Sequence, residues 1–510
     1  MRHEIIADFT DIDSRPTSKL AALDIGSNSF HLVVARTVAD SVQILHTVKQ
    51  KVRFAEGLDS NDMLSEEFMH YGLSTLSVMA ESLKGFAPDS VRIVATHTLR
   101  KAVNAKKFVQ AAREILPYPI EIISGIEEAR LIYLGVAHTS HLKGQNLIID
   151  IGGGSTEFAI GEGFETELLR SLQMGCVSYN VEYFKSGELK NKAFNKAITA
   201  ARQELELIAK KYVKQGWQQV IGCSGTIKTI VNVVQHLNKT AQNTTVTLEN
   251  LEQLITECCR VGHVDNLVFE GLAEDRRSLF AAGLSILTAI FLSFKIKEIS
   301  FSPAALREGV IYEMEGRPSH LDIRQRTTES LATRYDVDTE QAMRVLTTTL
   351  NVFSACKKSW QINEVEMKNM LCWASLLHEV GLQINSRGVQ RHSGYILQHV
   401  DMSGFNQEQQ NLLATLVRFH RKKIRSIEIV DFSGYQPEQV IKLITLLRLG
   451  VLFNLQRQDN VLPDYEIKTE DLTLSLVFPE GWLAQTPIFS ANLEREADYL
   501  ASVGIVLLFS

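Results

Sequence analysis

The chemistry open to this chain rests on a few acids placed beside glycine-rich turns. Asp150 ends an apolar run (Leu147, Ile148, Ile149, then Ile151) and is followed by Gly152, Gly153, Gly154, Ser155, Thr156 and Glu157. Glycines let the backbone turn tightly and let a bulky anion approach the peptide N–H groups. Successive N–H groups in such a turn form an anion-binding concavity. An acid beside that concavity suits a divalent cation held between carboxylate and phosphoryl oxygens. The pattern occurs twice. LAALDIGSNSFHLVVA, from Leu20 to Ala35, places Asp24 before Gly26, Ser27, Asn28 and Ser29. Two such hairpins, one small α/β unit apart, predict two related halves closing over one phosphate chain.

The elements that must carry these residues follow from periodicity. The first half reads as strand, hairpin, strand, then a strand over 42–52 ending in the alternating Lys49, Lys51 and Arg53. Met69, Leu73, Leu76, Met79 and Leu83 have helical spacing within 65–86, and 91–95 is a short buried strand. THTLRKA opens a helix expected to run to about Leu116, with Thr96 or Thr98 as its cap. A strand over 120–123 precedes a helix starting at Ser124–Gly125 in SGIEEARLIYLGV. The second half repeats the hairpin over 147–161, then adds a strand over 167–172, MGCVSYN, and a helix over 191–215. A strand over 219–221 follows and runs into GCSGTIK. An apolar helix (278–294), a strand (298–302) and the helix of ALREGVIYEM close it. This βββαβα order predicts α/β halves with mixed sheets. From Arg324 to about Asn460 the pattern is helical, and alternation at Leu472, Leu474 and Leu476 marks a small strand-bearing end. The expected division is a disordered 1–17, subdomains at 18–131 and 132–314, a helical domain at 315–460 and a C-terminal α+β subdomain at 461–510. Gly316 and Pro318 mark the boundary between the α/β and helical parts.

Composition bounds the partners. A formal charge of −6 argues against a general polyanion-coating surface, and no nucleic-acid partner is expected, so affinity for phosphate-rich ligands has to come from focused basic patches. Six cysteines without metal-ligand spacing fit a reduced cytoplasmic compartment, with peripheral association at the inner face of the cell membrane left open. No secretory leader is read at the start. The uncharged run 278–294 is short for a span and is read as a buried helix, so no integral membrane segment is expected. The last eleven residues are expected to pack as a strand.

Duplicated phosphate hairpins, a GxSGT loop and a closing helix resemble the actin/sugar-kinase/Hsp70 (ribonuclease H-like) fold. DIGSNSFHLVVA, THTLRKA, ISGIEEARLIYLGV, IDIGGGSTE, MGCVSYN, GCSGTIK and ALREGVIYEM together resemble the exopolyphosphatase/guanosine pentaphosphate phosphohydrolase family. Within it, THTLRKAVN, LHEVGLQIN, RHSGYILQHV and LVRFHRKK are more similar to the long bacterial exopolyphosphatases than to the pentaphosphate branch. The resemblance implies that Glu128 is the base that deprotonates water, with Glu127 a structural neighbour at a helix start. It implies that Glu157 holds metal or water, and that Asp150, with Asp24 opposite, meets Mg2+; a monovalent ion such as K+ is a further candidate cofactor. Asp24 has the alternative of accepting N–H bonds within its own turn. Gly26, Ser27, Asn28, Ser29, Gly153, Gly154, Ser155 and Thr156 form the expected phosphate cradle. Arg100 either takes a phosphate bidentately or is a surface residue of its helix. GCSGTIK either binds a nucleoside or only lines the cleft.

LLHEVG resembles an HD phosphohydrolase core, but Glu379 stands where Asp is required, and Gly450 and Asn454 stand where further ligands belong. The helical domain is therefore read as a degenerate, non-catalytic HD-like relative. RFHRKKIR places five Lys/Arg in eight residues. Either this is a solvated face, or Arg418, Arg421, Lys422 and Lys423, with His378, Arg391 and His392, line a passage for a polyanion. The resemblance also implies a homodimer. The leading expectation is an exopolyphosphatase releasing terminal phosphate from inorganic polyphosphate. The alternatives are a guanosine pentaphosphate (pppGpp) 5′-phosphohydrolase and, in another class, a non-catalytic polyphosphate or alarmone (pppGpp/ppGpp) sensor.

Overall fold

The computed structural model describes residues 19–510 apart from 39–40, 141, 143, 239–244, 316–322, 363, 401, 403, 426–427, 430–431, 433 and 460. The N-terminal segment expected to be disordered, and the boundary residues Gly316 and Pro318, lie outside the described residues. The chain divides into two units, Met1–Ser319 and His320–Ser510.

The first unit is built from one topology used twice. Strands β1 (Lys19–Ile25), β2 (Ser29–Val38), β3 (Ser41–Lys51), β4 (Val91–Ala95) and β5 (Ile120–Ile122) form a sheet in the order β3-β2-β1-β4-β5. Strands β6 (Gln145–Ile151), β7 (Thr156–Glu162), β8 (Glu165–Leu172), β9 (Gln219–Cys223), β10 (Val246–Thr247) and β11 (Glu298–Phe301) form the second, in the order β10-β11-β9-β6-β7-β8. In both sheets three strands run as an antiparallel meander, and two more lie parallel to the first of them. The central strands β1 and β6 are buried along nearly their whole length, as their runs Leu20–Leu23 and Leu147–Ile149 require, each interrupted only near its end by Asp24 or Asp150. Both end on an acid-bearing segment at the same edge of their sheets, which is what the duplicated motif demands.

The helix Arg277–Phe294 lies inside the second half, where Phe294 packs against Phe158 and Tyr212. It is long and apolar enough to cross a bilayer, yet 78% of that stretch is buried within the protein. It is a core helix, as read. Each half closes with a helix after its last main strand, Gly125–Thr139 after β5 and Leu306–Met314 after β11. These two cross with glycine on both sides: a Cβ at Gly309 would sit 1.8 Å from the Leu131 carbonyl oxygen, and one at Gly135 2.4 Å from that of Ala305.

Two expectations change. The single helix from THTLRKA to Leu116 is two helices, His97–Lys101 and Ala105–Arg113. Asn104 breaks it by bonding through its side chain to both the N–H and the carbonyl of Leu64. Thr96 stands at the cap position but makes no side-chain capping bond. The closing run 500–510 is strand only at β14 (Val506–Phe509), because the helix Pro487–Ala501 extends through Leu500.

In the second unit, helices Thr339–Cys356, Val365–Leu377, Gln407–Arg418 and Pro437–Phe453 form the centre. A sheet of β12 (Glu466–Glu470), β13 (Thr473–Val477) and β14 packs on them. Leu474, Leu476 and Leu507 share one hydrophobic core with helical residues such as Leu443 and Leu447, so the C-terminal strands are held by the helices.

Candidate active site

Asp24 and Asp150 are carried to equivalent places by β1 and β6, opposite His31 on β2 and Glu157 on β7 respectively. The two hairpins face one another. A Cβ on Gly153 would lie 2.9 Å from the Ser27 Cβ, and one on Gly154 2.2 Å from the His97 ring. None of Gly26, Gly152, Gly153 and Gly154 has a positive φ. These glycines are required by close approach rather than by a left-handed turn, which refines the sequence expectation. The first turn is pinned from behind by N–H bonds from Val52, Arg53 and Ala55 to the Asn28 and Ser27 carbonyls. The second is pinned by the helix Cys176–Tyr183 of MGCVSYN, whose Cys176 and Val177 N–H groups bond to Gly152 and Gly153.

Together they border a cavity of about 270 Å³. Asp24, Gly26, Ser27, Asn28, Ser29, Glu128, Asp150, Gly153, Gly154 and Ser155 all line it. Glu128 comes from the helix Gly125–Thr139, whose start is capped by Ser124 and lies close against Ser171 of β8 because Gly125 has no side chain. Its two acids part ways. Glu127 is bonded bidentately by Arg130 (2.8 and 2.6 Å) inside a buried network that continues through Glu313 to Arg92 and Glu121. Glu128 faces the cavity, with one oxygen 3.1 Å from the Arg100 guanidinium.

Three sequence-selected residues do not line the cavity. Arg100 turns its Nη1 to Glu128 and to the Ile123 carbonyl (2.9 Å), so it is not a plain surface residue of its helix. Thr156 is buried and donates its hydroxyl to the Met174 carbonyl, which removes it from the cradle. Glu157 is buried behind Asp150 and accepts a 2.8 Å bond from Ser171.

The acids raise one another. Burial pushes the Asp24 carboxyl to about 7, with Arg307 opposing and Glu128 adding to the rise. Burial, then Glu128 and Asp24, push Asp150 to about 7. Burial raises Glu128 against the pull of Arg100, and burial with Glu128 and Asp150 holds Glu157 well above the carboxylate range. One Asp24 oxygen, Oδ1, is buried without a hydrogen-bond partner. Among the described residues no three His, Cys, Asp or Glu side chains converge as a self-sufficient metal cage. An unpartnered hard oxygen and two facing carboxylates suit Mg2+, which keeps several waters and takes one or two carboxylates plus substrate oxygens.

The other wall is basic, and sequence reading missed it as a unit. Lys49, Lys228, Arg276 and Arg307 line the same cavity. Burial, with Arg276 and Arg307 nearby, pulls Lys49 down to about 8. Arg307 also contacts Nδ1 of His31, whose pKa falls to about 3 through burial and these cations. The four come from four distant segments. Their only sequence signals were the alternation beginning at Lys49, the last residue of GCSGTIK, the arginines before the apolar helix and the arginine of ALREG. GCSGTIK lines the cleft, with Ser224 in a left-handed conformation (φ 72°) at the helix start.

In the second unit the proposed passage residues separate. His378 is buried, its Nδ1 on the Ser375 carbonyl (2.8 Å), which removes it from any surface lining. Arg418 pairs with Glu428 (2.6 Å), while Arg391, Lys422 and Lys423 are exposed and His392 and Arg421 half-buried. Glu379 of LLHEVG is held by Arg457, and Asn454 at the end of the helix Pro437–Phe453 donates to Thr348, so both positions are engaged structurally.

The sequence matches the Ppx/GppA phosphatase family over residues 33–318 and domain III of the Ppx/GppA phosphatases over 323–497. It is 39% identical over 490 residues (96% of this chain, 97% of the relative) to the guanosine-5′-triphosphate,3′-diphosphate pyrophosphatase of Pseudoalteromonas translucida. It is 40% identical over 484 residues (95% and 96%) to the Vibrio cholerae protein of that name. Among solved structures, an exopolyphosphatase from Cytophaga hutchinsonii is similar with a TM-score of 0.53 at 24% identity, covering 59% of this chain and 98% of that one. The Aquifex aeolicus PPX-GPPA enzyme gives 0.50 at 23%, covering 58% and 100%. These likenesses show the actin-like fold. The names of the sequence relatives fall on the pentaphosphate side, whereas the motifs THTLRKAVN and LVRFHRKK favoured the exopolyphosphatase side.

Proposed function

Because the chain belongs to the Ppx/GppA phosphatase family, we propose that it hydrolyses the terminal phosphoanhydride of guanosine 5′-triphosphate 3′-diphosphate, releasing orthophosphate. The observation that carries a hydrolytic reading is Glu128: a buried carboxylate of raised basicity, oriented by Arg100, in one cavity with both phosphate hairpins. The choice of nucleotide follows the names of relatives that match nearly full length.

In this reading the terminal phosphoryl group sits between the Ser27–Ser29 and Gly153–Ser155 turns, whose N–H and hydroxyl groups bind its oxygens. Glu128 accepts a proton from water as the water oxygen bonds to the terminal phosphorus. The anhydride P–O bond breaks, and the bridging oxygen leaves with the rest of the nucleotide. Lys49, Lys228, Arg276 and Arg307 take up the charge of the remaining phosphates. Asp24 and Asp150, supported by Glu157, would hold Mg2+, which when bound neutralises phosphoryl oxygens.

A second reading, linear polyphosphate, is favoured by the basic wall, since four cations reward a chain of phosphates without needing a base. The test measures phosphate release from both substrates with magnesium, for the wild type and for Glu128→Gln. The proposal expects turnover of the pentaphosphate, lower by roughly 10²–10⁴-fold in the variant with binding retained. Release from polyphosphate alone moves the enzyme to the second reading. Tight binding with no release from either makes it a sensor and overturns the hydrolytic assignment.

A further inference from the structure

The second unit holds a cavity of its own, about 90 Å³, that shares no residue with the catalytic one. Its floor is a buried ion pair. Arg448, 1% exposed, bonds bidentately to Glu496 (2.5 and 2.9 Å) and donates to the Phe419 carbonyl (2.6 Å). Arg448 thereby neutralises Glu496, which has no charge to spare for the walls.

Those walls carry Arg421 and Lys422 from the turn after the helix Gln407–Arg418, and Arg495 from the helix Pro487–Ala501. None of these three has an ion-pair or hydrogen-bond partner among the described residues. Lys422 is held in a left-handed conformation (φ 68°), uncommon for a non-glycine residue and frequent where a backbone is committed to a ligand. Asn492 and Tyr499 add neutral hydrogen-bonding groups to the same rim. His420, buried beside Arg421 and Arg448, is held neutral and adds no charge.

Three cations without an ion-pair partner among the described residues converge here from two separate segments, in a protein whose net charge is −6. Left empty, they repel one another; a compact anion removes that repulsion. At about a third of the catalytic cavity's volume, this cavity has room for one small group rather than a row of phosphates, while it exceeds the space of one water several-fold. The size and charge fit one tetrahedral oxyanion. We infer that Arg421, Lys422 and Arg495 form a binding site for a single phosphate, either free orthophosphate or the terminal phosphoryl group of a larger ligand whose body stays outside. The basic run RFHRKKIR thus serves no single stripe: Arg418 is spent on Glu428, His420 is interior, and Arg421 and Lys422 turn to this cavity.

The test is equilibrium dialysis of the full chain with inorganic phosphate, together with crystals soaked in tungstate. Arg421→Gln and Arg495→Gln are compared with Arg307→Gln, which reports phosphate in the catalytic cavity. The expected result is two phosphates per wild-type chain. Arg421→Gln and Arg495→Gln lose one of them, weakened at least about tenfold, while Arg307→Gln keeps that one. Arg495→Lys, at an exposed position, retains binding and excludes misfolding as the cause. Repeating the dialysis with phosphoserine separates the two sources, since a terminal phosphoryl group competes only if the mouth admits its body. Undiminished binding in both glutamine variants, or tungstate confined to the catalytic cavity, overturns the inference. Failure of the hydrolytic proposal appears as absent turnover and leaves this binding measurement unaffected.

Discussion

Arg100 holds Glu128 through a 3.1 Å contact while anchoring itself on the Ile123 carbonyl, the residue at the end of the strand that leads into the Glu128 helix. A cation that sequence suggested for substrate thus also orients the base. Arg100→Ala removes the one charge that opposes burial at Glu128, so the Glu128 pKa rises further. The ionised base is then reached only at higher pH. The acid limb of the kcat profile is expected to move upward, with kcat down about 10–100-fold and KM changed little. A large rise in KM at constant kcat would instead make Arg100 a phosphate ligand.

The paired acids predict a cost to stability. Asp24 and Asp150 titrate near 7 when folded and near the ordinary aspartate value when unfolded, so the folded state holds more protons between those limits. Stability of the metal-free protein is therefore lost as pH rises from about 4 to about 7. Asp150→Asn should gain on the order of 1–4 kcal/mol over wild type at pH 8, the gain shrinking toward pH 4. Thermal melts at the two pH values, with chelator present, decide it.

Lys49 makes the basic wall pH-sensitive. With its folded pKa near 8, it loses charge in the free protein as pH rises through that value. KM for a polyanionic substrate is expected to rise above pH 8, and Lys49→Met should raise KM about tenfold at pH 7 and abolish the inflection. An inflection that persists in Lys49→Met belongs to another group.

His31 should not titrate between pH 5 and 8. Arg307 can only donate, so Nδ1 of His31 accepts and its proton resides on Nε2. Nitrogen NMR of the labelled ring should show that tautomer throughout the range. A protonated ring at pH 6 would contradict the pairing.

The buried chain Glu127–Arg130–Glu313–Arg92–Glu121 is structural. Arg130→Ala leaves the buried Glu127 without its bidentate partner, and should cost about 3–5 kcal/mol in denaturant unfolding. Loss of activity without loss of stability would assign the network to the reaction.

Both acid hairpins, the central strands and the Glu128 helix were legible because each lies in one continuous run with a matching period. The basic wall was not. Lys49, Lys228, Arg276 and Arg307 meet only because β3 and three helices converge on one cavity, and no local pattern encodes that convergence. The break at Asn104 escaped for the same reason: its partner, Leu64, is forty residues away and overrides a good helical pattern. Thr156 was misjudged because its place in GGGST suggests the cradle, while the strand period turns it inward to Met174.

Where Gly135 meets Gly309, the two halves touch through main chain alone. A substitution at either position is judged by the backbone of the other half, which no neighbouring side chain can move aside. Elsewhere the two halves differ, as in the added β10 of the second sheet. Here each half's main chain fixes the residue type of the other, and glycine at one position has its reason in the other's backbone.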